Sequence, residues 1–220
     1  MNGIELIDEV VDIVLDPRFT RVWFLTRLNR GLFAVAGRVL LPGLADGAAA
    51  VNTVLNNHVV ALPATYHRTL YQASIDGDPV WVYPNIGMMR DVGFKLNSDV
   101  GQVESVAVNA GSLFYQRVPS VVTEIALRFY RKPALLLDTN TSFPDGMGDN
   151  TEIAELIDQA LIGYACGMAF SRIEDGIEGN KVNTDFHLGR FEDAISRMQE
   201  NWYARPMPEP PVDKSKWLGW

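Results

Sequence analysis

The apolar residues change their period twice along the chain, and this restricts the fold more than any other feature. Spacings of three and four residues govern residues 4–38 and the stretch after residue 150, whereas alternation governs about Ala48 to Leu137. A helix-period segment cannot settle as a strand, so the chain must combine helical ends with a β-rich middle. Its 220 residues suit one domain, or one core with an appendage. Hydrophobic residues make up 47%, enough to build a buried core.

Residues 4–15 read as a short amphipathic helix. Asp16-Pro17 is expected to start a second helix, with Asp16 as N-cap and Pro17 at the first helical position. That helix runs to about Arg38, with Phe19, Val22, Trp23, Leu28, Leu32 and Ala36 at helical spacing. Arg18, Arg21, Arg27, Arg30 and Arg38 stud its other sides, and Leu41-Pro42-Gly43 ends it.

Three hairpins are expected next. Residues 51–55 and 58–62 flank Asn56-Asn57, 66–75 and 80–83 flank Asp76-Gly77-Asp78-Pro79, and 103–108 and 112–118 flank Asn109-Ala110-Gly111. Residues 86–96 read as a short helix or an irregular excursion. Residues 121–131 alternate most clearly, with Val121, Thr123, Ile125, Leu127 and Phe129 on one face. Val122, Glu124, Ala126, Arg128 and Tyr130 take the other face, and Pro133 marks the end.

After a polar loop, a helix over 151–171 carries Ile153, Leu156, Ile157, Ala160, Leu161, Tyr164 and Met168 on a broad face. A second, over 184–203, places Leu188, Phe191, Ile195, Met198 and Trp202 along a lengthwise seam. The link between them is short enough for an antiparallel pair. Gly163 and Gly167, one turn apart, would let the two helices approach closely.

Several chemistries lack their residues. The chain has no phosphate loop, dinucleotide fingerprint, nucleophile elbow or H-E-x-x-H pair. His58, His67 and His187 are scattered, and Cys166, the single cysteine, sits in an apolar helix where a buried inert thiol is expected. Asp138, Asn140, Ser142 and Asp149 fit a calcium loop in part, but Phe143 stands where that loop needs Gly, so a polar connector is the preferred reading. No catalytic residue, metal ligand or cofactor is expected. No secretory leader is read in residues 1–12, and the best apolar run, 160–170, is too short to span a membrane, so a soluble, cytoplasmically made chain is expected.

Twenty-seven acidic residues against nineteen basic ones give a formal charge of −8, which suits a chain that does not grip DNA phosphates. The acids crowd into residues 149–178, where Arg172 is the one basic residue. They form either a solvated helix face or a deliberately negative surface. Four prolines lie between 206 and 211, and Trp217, Leu218 and Trp220 follow. This extended segment either folds back on its own chain or, as the preferred reading, anchors on a neighbouring subunit or another protein.

The order of these parts resembles the head–tail adaptor proteins of tailed bacteriophages, also called connector or head-completion proteins. The resemblance rests on Leu28-Asn29 in the first long helix, its stop at Leu41-Pro42, and Val60-Ala61-Leu62-Pro63 followed by Tyr66. It continues through Phe129-Tyr130-Arg131-Lys132-Pro133-Ala134-Leu135 and Phe143-Pro144 before two helices with acidic ends, and covers residues 1–203. It implies an α+β fold in which N-terminal helices and a C-terminal antiparallel helical hairpin form a helical bundle. A central β-hairpin-rich insertion and an extended C-terminal tail complete it. The expected divisions are 1–43, 44–137, 138–205 and 206–220.

The resemblance also implies a structural protein of the virion's head–tail junction, not an enzyme. A homo-oligomeric ring, commonly dodecameric, would dock on the portal, extend the DNA channel and offer a surface to tail or nozzle proteins. Pro208, Pro210, Pro211, Trp217, Leu218 and Trp220 are the expected contacts with portal or neighbour. Glu152, Glu155, Glu174, Asp175 and Glu178 are the candidate channel-facing acids, past which genomic DNA would slide without specific binding. A tail-tube or nozzle component is the nearest alternative. A metal-dependent hydrolase using Asp138, Asp145 and Asp149 is the alternative of another class.

Overall fold

The computed structural model describes residues 1–91, 99–139, 151–175 and 181–203. Five α-helices and seven strands lie within them: α1 (Gly3–Val14), α2 (Arg21–Arg38), β1 (Gly47–Asn52), β2 (Val59–Ala61), β3 (Tyr66–Ile75) and β4 (Asp78–Tyr83). They continue with α3 (Ile86–Asp91), β5 (Ser105–Asn109), β6 (Ser112–Tyr115), β7 (Glu124–Arg131), α4 (Thr151–Ile173) and α5 (Val182–Tyr203). The described residues fall into two compact units. One holds residues 1–40 and those from Leu135 onward; the other holds Leu41–Ala134.

In the first unit α1 begins with a capping box: the Asn2 side chain accepts the Glu5 N–H, and Glu5 accepts the Asn2 N–H. The expected Asp16 cap is corrected. Asp16 instead accepts the Arg18 N–H and guanidinium at 2.6–3.0 Å, and Thr20 caps α2 by accepting the Trp23 N–H. The helix therefore starts later than Pro17, and Val22 on its first turn is exposed.

Helix α4 is the centre of this unit and touches α1, α2 and α5. Ala160, Leu161, Ile162 and Gly163 are consecutive and all buried. Residues 100° apart cannot share one face, so α4 is enclosed on all sides there. By length and composition Ile153–Ile173 could cross a membrane, which exceeds the short run read from sequence. Of its apolar window, 61% is buried inside the chain.

Helix α5 runs back along α4 through Thr184, His187, Phe191, Ala194, Ile195 and Met198. The Gly pair makes this possible. A Cβ on Gly163 would lie 2.9 Å from the His187 carbonyl oxygen and 3.0 Å from the Phe191 nitrogen. On Gly167 it would meet the Leu188 side chain at 2.7 Å.

The second unit corrects the expected architecture. It is not a set of hairpins inserted into a helical bundle. Its strands form one seven-stranded mixed sheet in the order β1-β7-β3-β4-β5-β6-β2, with α3 alongside. Residues 75–80 and 108–113 do make the expected tight connections, pairing β3 with β4 and β5 with β6. The Asn56-Asn57 hairpin does not form. Asn56 takes the left-handed conformation such a turn needs, yet β1 pairs with β7 and β2 with β6, at opposite ends of the sheet. Strands β4 and β5 are parallel, which needs a long crossover; residues 84–104, including α3, supply it. Ala73, Val106, Leu113, Ile125, Leu127 and Phe129 are buried in one core, and Val51 of β1 and Val60 of β2 pack on it. Both ends of the strand order thus reach one core, so the sheet wraps almost closed, like a barrel.

Strand β7 keeps its alternation from Glu124 to Phe129 and loses it at Tyr130, which is fully buried. Its hydroxyl accepts the Leu41 N–H at 2.9 Å, and the Arg68 guanidinium lies 4.8 Å from its ring centre. Burial raises the Tyr130 pKa.

Gly163→Ala should cost about 1–3 kcal/mol, because its Cβ meets α5 backbone that cannot turn aside. Gly167→Ala meets a flexible leucine and should cost less, with Leu188→Ala relieving most of it. Urea unfolding of the three variants measures both; equal losses at the two glycines would count against a backbone contact at Gly163.

Candidate interaction surfaces

Among the described residues no group of three or more His, Cys, Asp or Glu could hold a metal ion. Asp145 and Asp149, and most of the calcium-like loop, lie outside the described residues. Cys166 is fully buried, and burial pushes its thiol pKa up to about 12, which keeps it protonated at neutral pH. His187 is buried too and stacks on Phe170 at 5.2 Å between ring centres. Burial, then Arg190, lowers its pKa. These are packing roles.

The acids that adjoin in sequence separate in space. Glu155 is exposed near the start of α4 and Asp175 is exposed beyond its end. Twenty residues of mostly helical chain put roughly 30 Å between them. Asp158 is buried, with an oxygen 2.6 Å from the Met1 amine; burial raises its pKa and the amine opposes that. Glu174 is buried at the turn between α4 and α5. One carboxylate oxygen accepts the Thr184 hydroxyl at 2.7 Å and its N–H at 3.1 Å; the other accepts both nitrogens of Asn183. Its charge therefore sits on the amino terminus of α5. The Glu152 side chain, Glu178, Pro208, Pro210, Pro211, Trp217, Leu218 and Trp220 lie outside the described residues.

The second unit carries a surface that the sequence reading missed. The Thr53 N–H donates to the Thr123 carbonyl at 2.9 Å, and the Thr123 N–H donates back to the Thr53 hydroxyl at 2.9 Å. The Asn56 N–H reaches the Pro119 carbonyl at 3.4 Å. These bonds hold segments 53–56 and 119–123 side by side. Val54, Leu55, Val121 and Val122 stand out from them, 44–67% exposed. Alternation put Val121 on one strand face with Thr123, Ile125, Leu127 and Phe129. The strand starts only at Glu124, so alternation does not govern it. The available signal was two adjacent aliphatic pairs, Val54-Leu55 and Val121-Val122, which alternation cannot bury together. Clustered exposed aliphatics of this kind mark contact surfaces on structural proteins.

What the described residues present is an exposed aliphatic contact surface on one of two compact units. The SU10 adaptor protein model matches residues 1–210, and the chain belongs to that family. It is a bacteriophage adaptor, a structural component of the virion that works through contacts with other virion proteins. No curated protein matches the chain.

The hydrogen bonds from Thr184 and Asn183 hold the Glu174 pKa below its ordinary value. The carboxylate therefore stabilises the fold above the usual glutamate range, and that contribution is lost as pH falls through the lowered pKa. Urea midpoints of wild type and Glu174→Gln should converge as the pH is lowered. Curves that stay parallel from pH 7 to pH 3 would remove the role assigned to the charge.

Proposed function

We propose that the chain is a head–tail adaptor that forms a ring on the portal after packaging, extends the DNA channel and presents the docking surface for tail or nozzle proteins. Membership of the SU10 adaptor family, over residues 1–210, carries this reading. The exposed aliphatic patch supports it, since a virion joint needs apolar contact surface. So does the −8 charge, because an acidic lining does not trap a phosphate backbone in transit. Glu155 and Asp175, with Glu152 and Glu178, are the acids proposed to face the channel. Glu174 is bonded inward and contributes charge at short range only. Chemistry on a substrate has no part in this function.

The tail is proposed as the clamp. Pro208, Pro210 and Pro211 favour an extended chain whose ordering costs little entropy, and Trp217, Leu218 and Trp220 supply the anchors.

Native mass spectrometry of the chain, alone and mixed with the portal ring of the same phage, tests the reading. Many copies per portal ring are expected. A chain that assembles but ignores portal would favour a tail-tube or nozzle component, and one that stays monomeric in both samples would overturn the adaptor ring. Deleting residues 206–220 should abolish portal binding and leave the circular dichroism spectrum nearly unchanged; full binding without the tail would refute the clamp.

A further inference from the structure

Helix α1 contains four acids, Glu5, Asp8, Glu9 and Asp12, and no basic residue. Their spacing of three and four residues sets them in one stripe, and all four are exposed. Glu5 is engaged in the capping box and Asp8 pairs with Arg21. Glu9 and Asp12 have no ion-pair partner among the described residues.

Helix α2 is the reverse, with four arginines and no acid. Arg27 lies 4.8 Å from the Trp23 ring centre, and Arg172 of α4 lies 5.4 Å from the same ring. One indole therefore carries two guanidinium groups, and Arg30 adds its charge beside them. Burial, then Arg30 and Arg172, push the Arg27 pKa down, and its buried Nε has no hydrogen-bond partner. No carboxylate among the described residues pairs with Arg27, Arg30 or Arg172. Three adjacent cations with no anion beside them among the described residues are unusual in a chain with a net charge of −8. Like charges held together raise the energy of the free subunit, and a negative partner relieves it.

We infer that the Trp23–Arg27–Arg30–Arg172 cluster is the subunit–subunit contact of the assembly and that it receives the acidic stripe of α1 from a second copy of the chain. The two patches belong to one unit, differ in sign and do not pair with each other within a copy. Complementary patches at different places on one molecule make head-to-tail contacts, which close into rings when the rotation allows. A nucleic acid is the less suitable partner, because the chain's net charge repels phosphate at longer range. This inference rests on the ring reading above and adds the residues that join its subunits.

The test is a charge swap on the full chain, read by native mass spectrometry and sedimentation, alone and on the portal ring. Arg30→Glu/Arg172→Glu and Glu9→Lys/Asp12→Lys alter exposed side chains, and circular dichroism confirms that each variant is folded. Each pair alone should weaken self-association by about tenfold or more, because like charges then face each other. The four-fold variant combines both pairs, so every interface is again complementary, and assembly should return. Association of the wild type should also fall as salt is raised.

Wild-type assembly that survives both pairs unchanged would overturn this interface and leave the ring reading standing. A wild type that never assembles, alone or on portal, would overturn both. If assembly is unchanged and Arg30→Glu/Arg172→Glu instead loses binding to duplex DNA, the arginines belong to a phosphate contact and the inference is wrong. Loss in both pairs without rescue in the combination would also sink it.

Discussion

The first unit depends on one helix being enclosed. Buried residues run round α4 from Leu156 to Ala169, and each neighbouring helix is placed by the surface it must cover there. At Gly163 the backbone of α5 itself, at His187 and Phe191, occupies the space a side chain would fill. Tight approach lengthens the contact and leaves little room for an alternative register. The buried Glu174 carboxylate ties the end of α4 to the start of α5, so packing and capping agree at that end of the pair. Helix α2 lies against the same helix at Gly31, beside Leu161 and Tyr164.

The second unit depends on closing a sheet, and its pairings follow from what each strand has to bury. Strand β7 lies between β1 and β3 and sends Ile125, Leu127 and Phe129 into the core. Gly47 accepts the close approach of β7, where a Cβ would run into the Phe129 carbonyl and Arg131. The exposed aliphatics at 54–55 and 121–122 lie just past the ends of β1 and β7. The chain there is held by Thr53 and Thr123, and the four aliphatic side chains point away from it into solvent. An adaptor gains from such a surface, because its partners are other proteins.

Charge divides on the same principle. Acids adjoining in sequence take different tasks, because a helix carries one end of a segment roughly 30 Å from the other. Glu174 turns inward to a helix start, Asp158 lies beside an amine, and Glu155 and Asp175 remain in solvent. Arg27 and Arg30 of α2 are brought together with Arg172, far away in sequence, by the helix packing alone.

Local patterns were legible wherever one short stretch decides the outcome. The period of α1, α2, α4 and α5 and the turns at Asp76-Gly77 and Asn109–Gly111 depend on neighbours within a few residues, and the Leu188-to-Met198 seam and the Gly163–Gly167 pair mark the facing sides of two helices that follow one another in the chain. The family likeness rested on the order of such parts. Long-range choices were not legible. Asn56-Asn57 carries the turn chemistry of a hairpin, yet β1 and β2 find better partners in β7 and β6, because burial across the whole sheet outweighs one tight turn. The same competition buried Tyr130 against its alternation; the Asp16 cap failed for a local reason, since Arg18 occupies that carboxylate and Thr20 caps α2 instead. By itself the sequence determined the elements and the sign of the charge. The tertiary structure alone decided which strands pair, which acids are exposed and which cations meet, because those depend on free energies summed over residues far apart in the chain.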